Sequence, residues 1–222
     1  MDFDSGFKAA MYKKTGKDKS VEYAFVTAGT DLDNIPDAIN DLLTDERQGR
    51  GKFTTQYHES IQLAMYISKN LLGDQRLTFI GHSLGGGLAA ANALATGRPA
   101  ITFNAAALNE KTKSSNGLNG KHASIDNYEV EKQIVFYIDA IGFMFPEGRN
   151  HVMEDMYENG ILDRHTMKAV IDAIKWMKTQ ASLEKRYKEK EKKELLNILK
   201  ELAKEKIIFP SNRDPIDQLN HK

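Results

Sequence analysis

The sequence predicts an α/β fold, in which helices flank a mostly parallel sheet, followed by a C-terminal helical extension. Apolar segments of strand length alternate with segments whose apolar residues recur at the helical period. Such alternation is typical of β-α-β units. The chain becomes dense in Lys and Glu after about residue 180. We therefore predict an α/β domain over residues 1–180 and a charged helical extension over residues 181–222.

The predicted elements follow one another in chain order. Strands are predicted over residues 6–12, 21–27, 77–80, 100–103 and 134–138. Helices are predicted over residues 35–43, 54–72, 88–94 and 165–179. The polar segment 108–124 bears two glycines, and this composition predicts a loop that covers a site.

The composition excludes several classes of protein. The 222 residues are 41% hydrophobic and 28% charged, and 31 basic residues balance 31 acidic ones. We expect no nucleic-acid partner, because no overall positive charge attracts one. The absence of cysteine excludes disulfides and thiol catalysis. The first residues lack the apolar core of a signal peptide, so localisation stays open, with secretion by a route that needs no such signal as one hypothesis.

The motif that carries chemistry lies at residues 81–85, which read Gly-His-Ser-Leu-Gly. It follows an apolar strand and opens a helix of small residues, the context in which G-x-S-x-G forms a nucleophile elbow. The tight turn requires glycine at Gly81 and Gly85, and it exposes the Ser83 hydroxyl at the edge of the sheet. A glycine-rich turn that serves packing alone is the less favoured alternative. A phosphate-binding loop is disfavoured further, because no G-K-[ST] follows.

Two longer segments resemble a known family. FIGHSLGGGLAA (residues 79–90) and TFNAAAL (residues 102–108) resemble the class 3 lipases and lipase-like phospholipases, including bacterial antibacterial phospholipase effectors. The resemblance implies an α/β-hydrolase-like fold and a serine carboxylic-ester hydrolase of lipase or phospholipase A type. It implies lipid or phospholipid ester substrates, and the chemistry requires neither a metal nor another cofactor. Ala28 replaces the family's usual Arg and Ala140 its usual Pro, and neither change removes a catalytic group.

A serine nucleophile needs a histidine base and an acid that orients it, and α/β-hydrolases supply them in the order Ser, acid, His. His165 and His151 both lie after the candidate acid. We favour His165, at the start of a predicted helix, while His151 lies in a segment predicted as a lid or rim. We predict Asp139 as the acid, because it ends the apolar strand 134–138. The other acids are less favoured, because Asp126 is predicted to lie in a loop and Asp163 to cap the helix that begins at His165.

The remaining predictions concern the oxyanion, the acyl chain and the extension. The Leu84 amide and, by resemblance, Thr30 are expected to donate to the oxyanion. Residues 143–146, Met153 and Met156 are expected either to bind the acyl chain or to belong to the core. The extension has a Leu stripe that predicts docking on the body, contact with a membrane surface, or a partner such as an inhibitor, immunity protein or secretion component.

The resemblance also suggests a toxin delivered to rival bacteria. The competing hypothesis is a non-catalytic binding module that keeps the elbow as architecture and uses the extension as its partner surface.

Overall fold

A computed structural model describes residues 5–29, 52–133, 146–155 and 160–204 of the chain. Within these ranges the strands are β1 (Ala9–Thr15), β2 (Val21–Thr27), β3 (Arg76–His82), β4 (Ala100–Phe103), β5 (Ile125–Val130) and β6 (Arg149–Met153). The helices are α1 (Lys52–Tyr66), extended by a π-helical segment at Ile67–Leu71, then α2 (Leu84–Thr96), α3 (Glu110–Ser115), α4 (Ile161–Arg164) and α5 (Met167–Lys204).

The strands form one sheet whose order in space is the order in sequence, from β1 to β6. Strand β1 pairs antiparallel with β2, and each later strand pairs parallel with the one before it. The described residues therefore confirm the prediction of a mostly parallel sheet flanked by helices, the α/β-hydrolase-like class. Parallel strands also place their carboxyl ends along one edge of the sheet, where sites of α/β proteins are built.

Helices α1 and α2 pack in one apolar core with the sheet. Each connects two adjacent parallel strands, and right-handed crossovers place both helices on the same face. Helix α2 consists of small residues and is buried almost all round, from Leu84 to Leu94. Inside this layer the Asn92 amide donates to the Ser60 hydroxyl at 2.8 Å, and both residues are fully buried. The core thus fixes α2, and with it the turn at its start.

Two strands were absent from the sequence prediction. Strand β5 carries Asp126, Asn127 and Glu129, and its polar residues conceal the alternation that marks a strand. The prediction that Asp126 lies in a loop is therefore wrong. The prediction of a lid or rim segment at His151 is wrong too, because His151 lies on β6. The predicted helix 35–43 and strand 134–138 lie outside the described residues.

The C-terminal part of the described chain, up to Lys204, is helical, as predicted. Helix α5 runs unbroken through the predicted boundary at residue 180. The chain divides into two compact units, Met1–Ile174 and Lys175–Lys222, and the domain boundary stays a prediction. No helix in the described part of the chain combines the length and the apolar character needed to span a membrane.

Candidate active site

Ser83 occupies the turn between β3 and α2 in a conformation that non-glycine residues rarely adopt. Its φ is 57° and its ψ is −129°. The turn is held in place because Ser83 N donates to the Phe103 carbonyl at 3.1 Å, while the Ser83 carbonyl accepts from Gly86 N at 2.9 Å. Such strain persists only where the surrounding structure over-determines it, and it is concentrated at functional sites. The hydroxyl is thereby presented at the carboxyl edge of the sheet.

Gly81 and Gly85 allow this turn because their backbones touch other backbones. A methyl group on Gly81 would collide with the Gly85 carbonyl and would lie 2.7 Å from Gly86 N. A methyl group on Gly85 would collide with the Thr27 carbonyl and would lie 2.8 Å from Gly29 N. Both positions therefore require glycine because other backbone segments approach closely. Backbone conformation is not the reason, since neither glycine has a positive φ.

The structure brings His165 to Ser83 from a point 82 residues later in the chain. His165 lies in the short turn between α4 and α5, and its residue is 3% exposed. Its Nε2 lies 2.8 Å from the Ser83 hydroxyl oxygen, within hydrogen-bond distance. Two donors hold its backbone carbonyl, His82 Nε2 at 2.5 Å and Asn104 Nδ2 at 3.2 Å.

Asn104 links three segments at this edge of the sheet. It follows β4, is fully buried, and donates to the carbonyls of Arg164 and His165, while its oxygen accepts from Val130 N at 2.8 Å.

We expect Asn104→Ala to lower the free energy of unfolding by about 2–4 kcal/mol, because it leaves buried backbone groups without partners. Urea unfolding measures this change, and a loss below about 0.5 kcal/mol would contradict the role described.

The other ring nitrogen of His165 faces a glutamine. His165 Nδ1 lies 2.7 Å from Gln133 Oε1, and Gln133 Nε2 donates to Glu129 Oε1 at 2.9 Å. Glu129 is 2% exposed, and its second oxygen accepts from Asn150 Nδ2 at 2.8 Å. Asp139, the acid predicted from the sequence, lies outside the described residues and stays a prediction.

Two histidines share the environment of the site. The ring centroids of His82 and His165 are 4.8 Å apart, so His82 lies beside the ring that contacts Ser83. Burial, and then the charge that His82 would carry, lower the pKa of His165 to about 3. Burial also lowers the pKa of His82, although its hydrogen bond to the His165 carbonyl opposes this shift. Both rings are therefore neutral at pH 7, and a neutral His165 can accept a proton.

The alternative base, His151, has its described contacts elsewhere. Its Nε2 lies 2.8 Å from Asp126 Oδ1, and its ring stacks on Tyr128 at 4.7 Å. The hydrogen bond from His151 and the Arg149 guanidinium hold the pKa of Asp126 below its usual range. Asp126 is therefore hydrogen-bonded to His151 and ion-paired with Arg149, whereas His165 contacts Ser83.

Of the two predicted oxyanion donors, Leu84 and Thr30, only Leu84 is among the described residues. Leu84 N is in the first turn of α2, where amides have no acceptor within the helix and the dipole favours negative charge. Thr30 lies outside the described residues. Gly29, the last described residue before it, lies so close to the elbow that a methyl group there would be 3.3 Å from Ser83 Cβ. Thr30 stays a prediction as the second donor.

Two further sequence expectations concern neighbouring side chains. Met153 is 1% exposed and packs with Val130 and Val170, so it belongs to the core and not to an acyl-binding surface. Residues 143–145 and Met156 lie outside the described ranges, and Pro146 is half-buried. Among the residues that the structure describes, no group of three acidic or histidine side chains is placed to hold a metal ion.

Comparison with known proteins identifies the family. The Tle-like phospholipase domain matches residues 1–189, most of the chain. The chain belongs to this family. The domain is also 39% identical over 125 residues to an extracellular phospholipase A1 from Serratia liquefaciens. That stretch covers 56% of this chain and 35% of the Serratia protein, so the chain matches about a third of that relative's length.

These findings confirm the resemblance to lipase-like phospholipases, and at the level of the family they confirm the ester-hydrolase class. The sequence did not predict four contributions near the Ser83–His165 pair of this Tle-like phospholipase domain. They are the side chains of Gln133, Glu129 and Asn104 and the hydrogen bond from His82 to the His165 carbonyl. No motif marks a glutamine or asparagine as part of a site. A buried carboxylate such as Glu129 rarely lacks a purpose, but only the structure shows its burial.

Proposed function

We propose that the protein is a serine carboxylic-ester hydrolase of the lipase or phospholipase A type that acts through an acyl-enzyme. The observation that carries this proposal is the 2.8 Å contact between His165 Nε2 and the Ser83 hydroxyl, on a strained turn at the carboxyl edge of the sheet. A nucleophile within hydrogen-bond reach of a neutral base is the arrangement that acyl transfer requires. The family membership supports the same chemistry.

The proposed reaction has two halves. Ser83 Oγ attacks the ester carbonyl while His165 Nε2 takes the hydroxyl proton, and the alcohol leaves after it receives that proton. The Leu84 amide, with Thr30 as the proposed second donor, binds the oxyanion of each tetrahedral intermediate. Water then attacks the acyl-enzyme with His165 as base, which releases the fatty acid. The sequence assigns the orientation of His165 to Asp139, whereas the described contact of His165 Nδ1 is with Gln133.

We propose phospholipids as the substrates, since both the family and the Serratia relative carry that description. The test uses vesicles of phospholipids with different acyl chains at the two glycerol positions, and mass spectrometry of the released acid. Release from the first position supports a phospholipase A1. Release from triglycerides alone would reject phospholipids as substrates. A protein that releases no acid, and whose Ser83 a fluorophosphonate does not label, would instead be the non-catalytic module.

The role of a delivered antibacterial effector stays a proposal from the resemblance, as does an immunity-protein partner. Directing the chain to the periplasm or the cytoplasm of a bacterial host tests it. We expect growth arrest and phospholipid loss in one of the two compartments with the wild type, and neither with Ser83→Ala. Equal growth of the two strains in both compartments would contradict the role.

The low pKa of His165 predicts how hydrolysis depends on pH. Because the base loses its activity only when it is protonated, we expect the acidic limb of kcat/KM to lie near pH 3 and not near 6.5. Hydrolysis of p-nitrophenyl butyrate at pH 5 and 7, with circular dichroism at each pH, measures this. A limb between pH 6 and 7 in folded protein would contradict it.

Stability should change in the same range of pH. The unfolded chain binds a proton at His165 below about pH 6.5, whereas the native state does so only near pH 3. The free energy of unfolding should therefore fall as the pH falls from 6.5 toward 3. This histidine alone contributes about 1.4 kcal/mol per pH unit in that window. Comparison with His165→Gln isolates its share.

A further inference from the structure

We infer that Gln133, fixed in orientation by the buried carboxylate of Glu129, is the group that sets the tautomer of His165. This inference rests on the proposed function and adds a positioning pair to it. Three consecutive hydrogen bonds carry it: Ser83 to His165 at 2.8 Å, His165 to Gln133 at 2.7 Å, and Gln133 to Glu129 at 2.9 Å. Gln133 is fully buried and Glu129 nearly so, so solvent does not compete for these contacts.

The direction of each hydrogen bond follows from the chemistry of Glu129. Its oxygens accept from two amide groups, those of Gln133 and Asn150, and an amide nitrogen can only donate. The carboxylate therefore acts as an acceptor at both oxygens. Because Gln133 must turn its nitrogen toward Glu129, it must turn its oxygen toward His165.

That orientation determines which ring nitrogen of His165 bears the proton. An amide oxygen can only accept, so His165 Nδ1 must donate to it, and Nε2 is left with a lone pair. Nε2 is the atom that lies beside the Ser83 hydroxyl. An amide beside a catalytic histidine is ordinarily a poor substitute for a carboxylate, because it can rotate and stabilise the wrong tautomer. Glu129 removes that freedom here.

The backbone places both groups for this task. Glu129 is the next-to-last residue of β5, and the turn that follows contains Lys132 in the left-handed conformation, with φ of 56°. This turn returns the chain so that Gln133 lies between Glu129 and His165. The second oxygen of Glu129 is held through Asn150 on β6, whose own oxygen accepts from Asn127 at 2.9 Å. The carboxylate is thus fixed from the neighbouring strand.

The experiment compares single variants with an exchange of the two side chains. In Gln133→Met, which keeps the length but removes the hydrogen bonds, we expect kcat for p-nitrophenyl butyrate to fall by about 10²- to 10⁴-fold while KM changes little. Glu129→Gln should cause a smaller loss, since the amide at position 133 can then rotate. Asp126→Asn, which removes a different carboxylate of β5, is the matched control and should retain wild-type kcat.

The exchange variant, Gln133→Glu with Glu129→Gln, conserves charge and volume. The carboxylate placed at position 133 accepts from His165 Nδ1, and the amide placed at position 129 donates to it and accepts from Asn150. We expect its kcat to exceed that of Glu129→Gln and to approach or surpass that of the wild type. A folded exchange variant as inactive as Gln133→Met would overturn the inference.

A spectroscopic measurement separates this inference from the proposed function. In protein labelled with ¹⁵N-histidine, with the signals of His165 assigned by their loss in His165→Gln, we expect a protonated Nδ1 and an unprotonated Nε2. Gln133→Met should mix the two tautomers. An unchanged tautomer in that variant, or unchanged kcat there together with its loss in Asp139→Asn, would assign the role to Asp139 and overturn the inference. A wild type that hydrolyses no ester rejects the proposed function, yet the tautomer remains measurable.

Discussion

Ser83→Ala is expected to lower kcat for ester hydrolysis by about 10⁴- to 10⁶-fold, because it removes the oxygen atom that we propose forms the acyl-enzyme. The Leu84 amide and the substrate contacts remain, so a residual rate above that of water alone should persist. The backbone should not change, because a φ of 57° costs alanine about as much conformational energy as it costs serine. Single-turnover hydrolysis of p-nitrophenyl butyrate measures the loss.

The control for this variant is Ser114→Ala. Ser114 is an exposed serine whose hydroxyl donates to the Lys111 carbonyl of its own helix. We expect wild-type turnover and wild-type stability in this variant. If Ser83→Ala retained more than a hundredth of the wild-type rate with its thermal midpoint unchanged, Ser83 would not be the nucleophile.

Gly81→Ala is expected to have the largest effect on stability. The added methyl group would collide with backbone atoms of Gly85 and Gly86. Backbone atoms cannot move aside as a flexible side chain can. We expect a loss of about 3 kcal/mol or more, the upper range for overpacking. In a chain of this size that corresponds to a fall of the thermal midpoint by roughly 6–12 °C or more. Differential scanning calorimetry measures it.

Gly97→Ala is the matched control for that variant. Gly97 follows the same helix, α2, and has a φ of 74°, but a methyl group there would meet nothing within 4 Å. Only the backbone strain remains, at about 1–2 kcal/mol. Equal losses in Gly81→Ala and Gly97→Ala would show that conformation, and not close approach, explains the glycine at position 81.

The sequence allowed prediction of the parts of this protein in which local pattern and chemistry coincide. Strand β2, strand β4 and the elbow at Ser83 were predicted because apolar runs and glycine spacing leave few alternatives. The α/β class follows from the same alternation. The proximity of His165 to Ser83 in the structure agrees with the order of residues that α/β-hydrolases use.

The parts that were missed depend on tertiary contacts. Strand β5 is polar because Asn127 and Glu129 are hydrogen-bonded inside the protein. Buried polar residues of this kind interrupt the alternation of apolar and polar residues by which a strand is predicted. Gln133 gains its position from a turn and from a partner four residues earlier. His82 contacts the backbone of a residue 83 positions later. None of these relations can be read from residues that are neighbours in sequence.

The 82-residue separation of Ser83 and His165 has a consequence for how folding can be observed. The proton transfer that we propose requires the turn after α4 to have reached the elbow, since only there does His165 contact Ser83. After dilution from denaturant, the recovery of turnover would therefore report how fast the contact between Ser83 and His165 forms. Far-ultraviolet circular dichroism would report how fast the helices form, which depend on local contacts. A lag of the activity behind the circular dichroism would show that the contact between Ser83 and His165 forms after the helices.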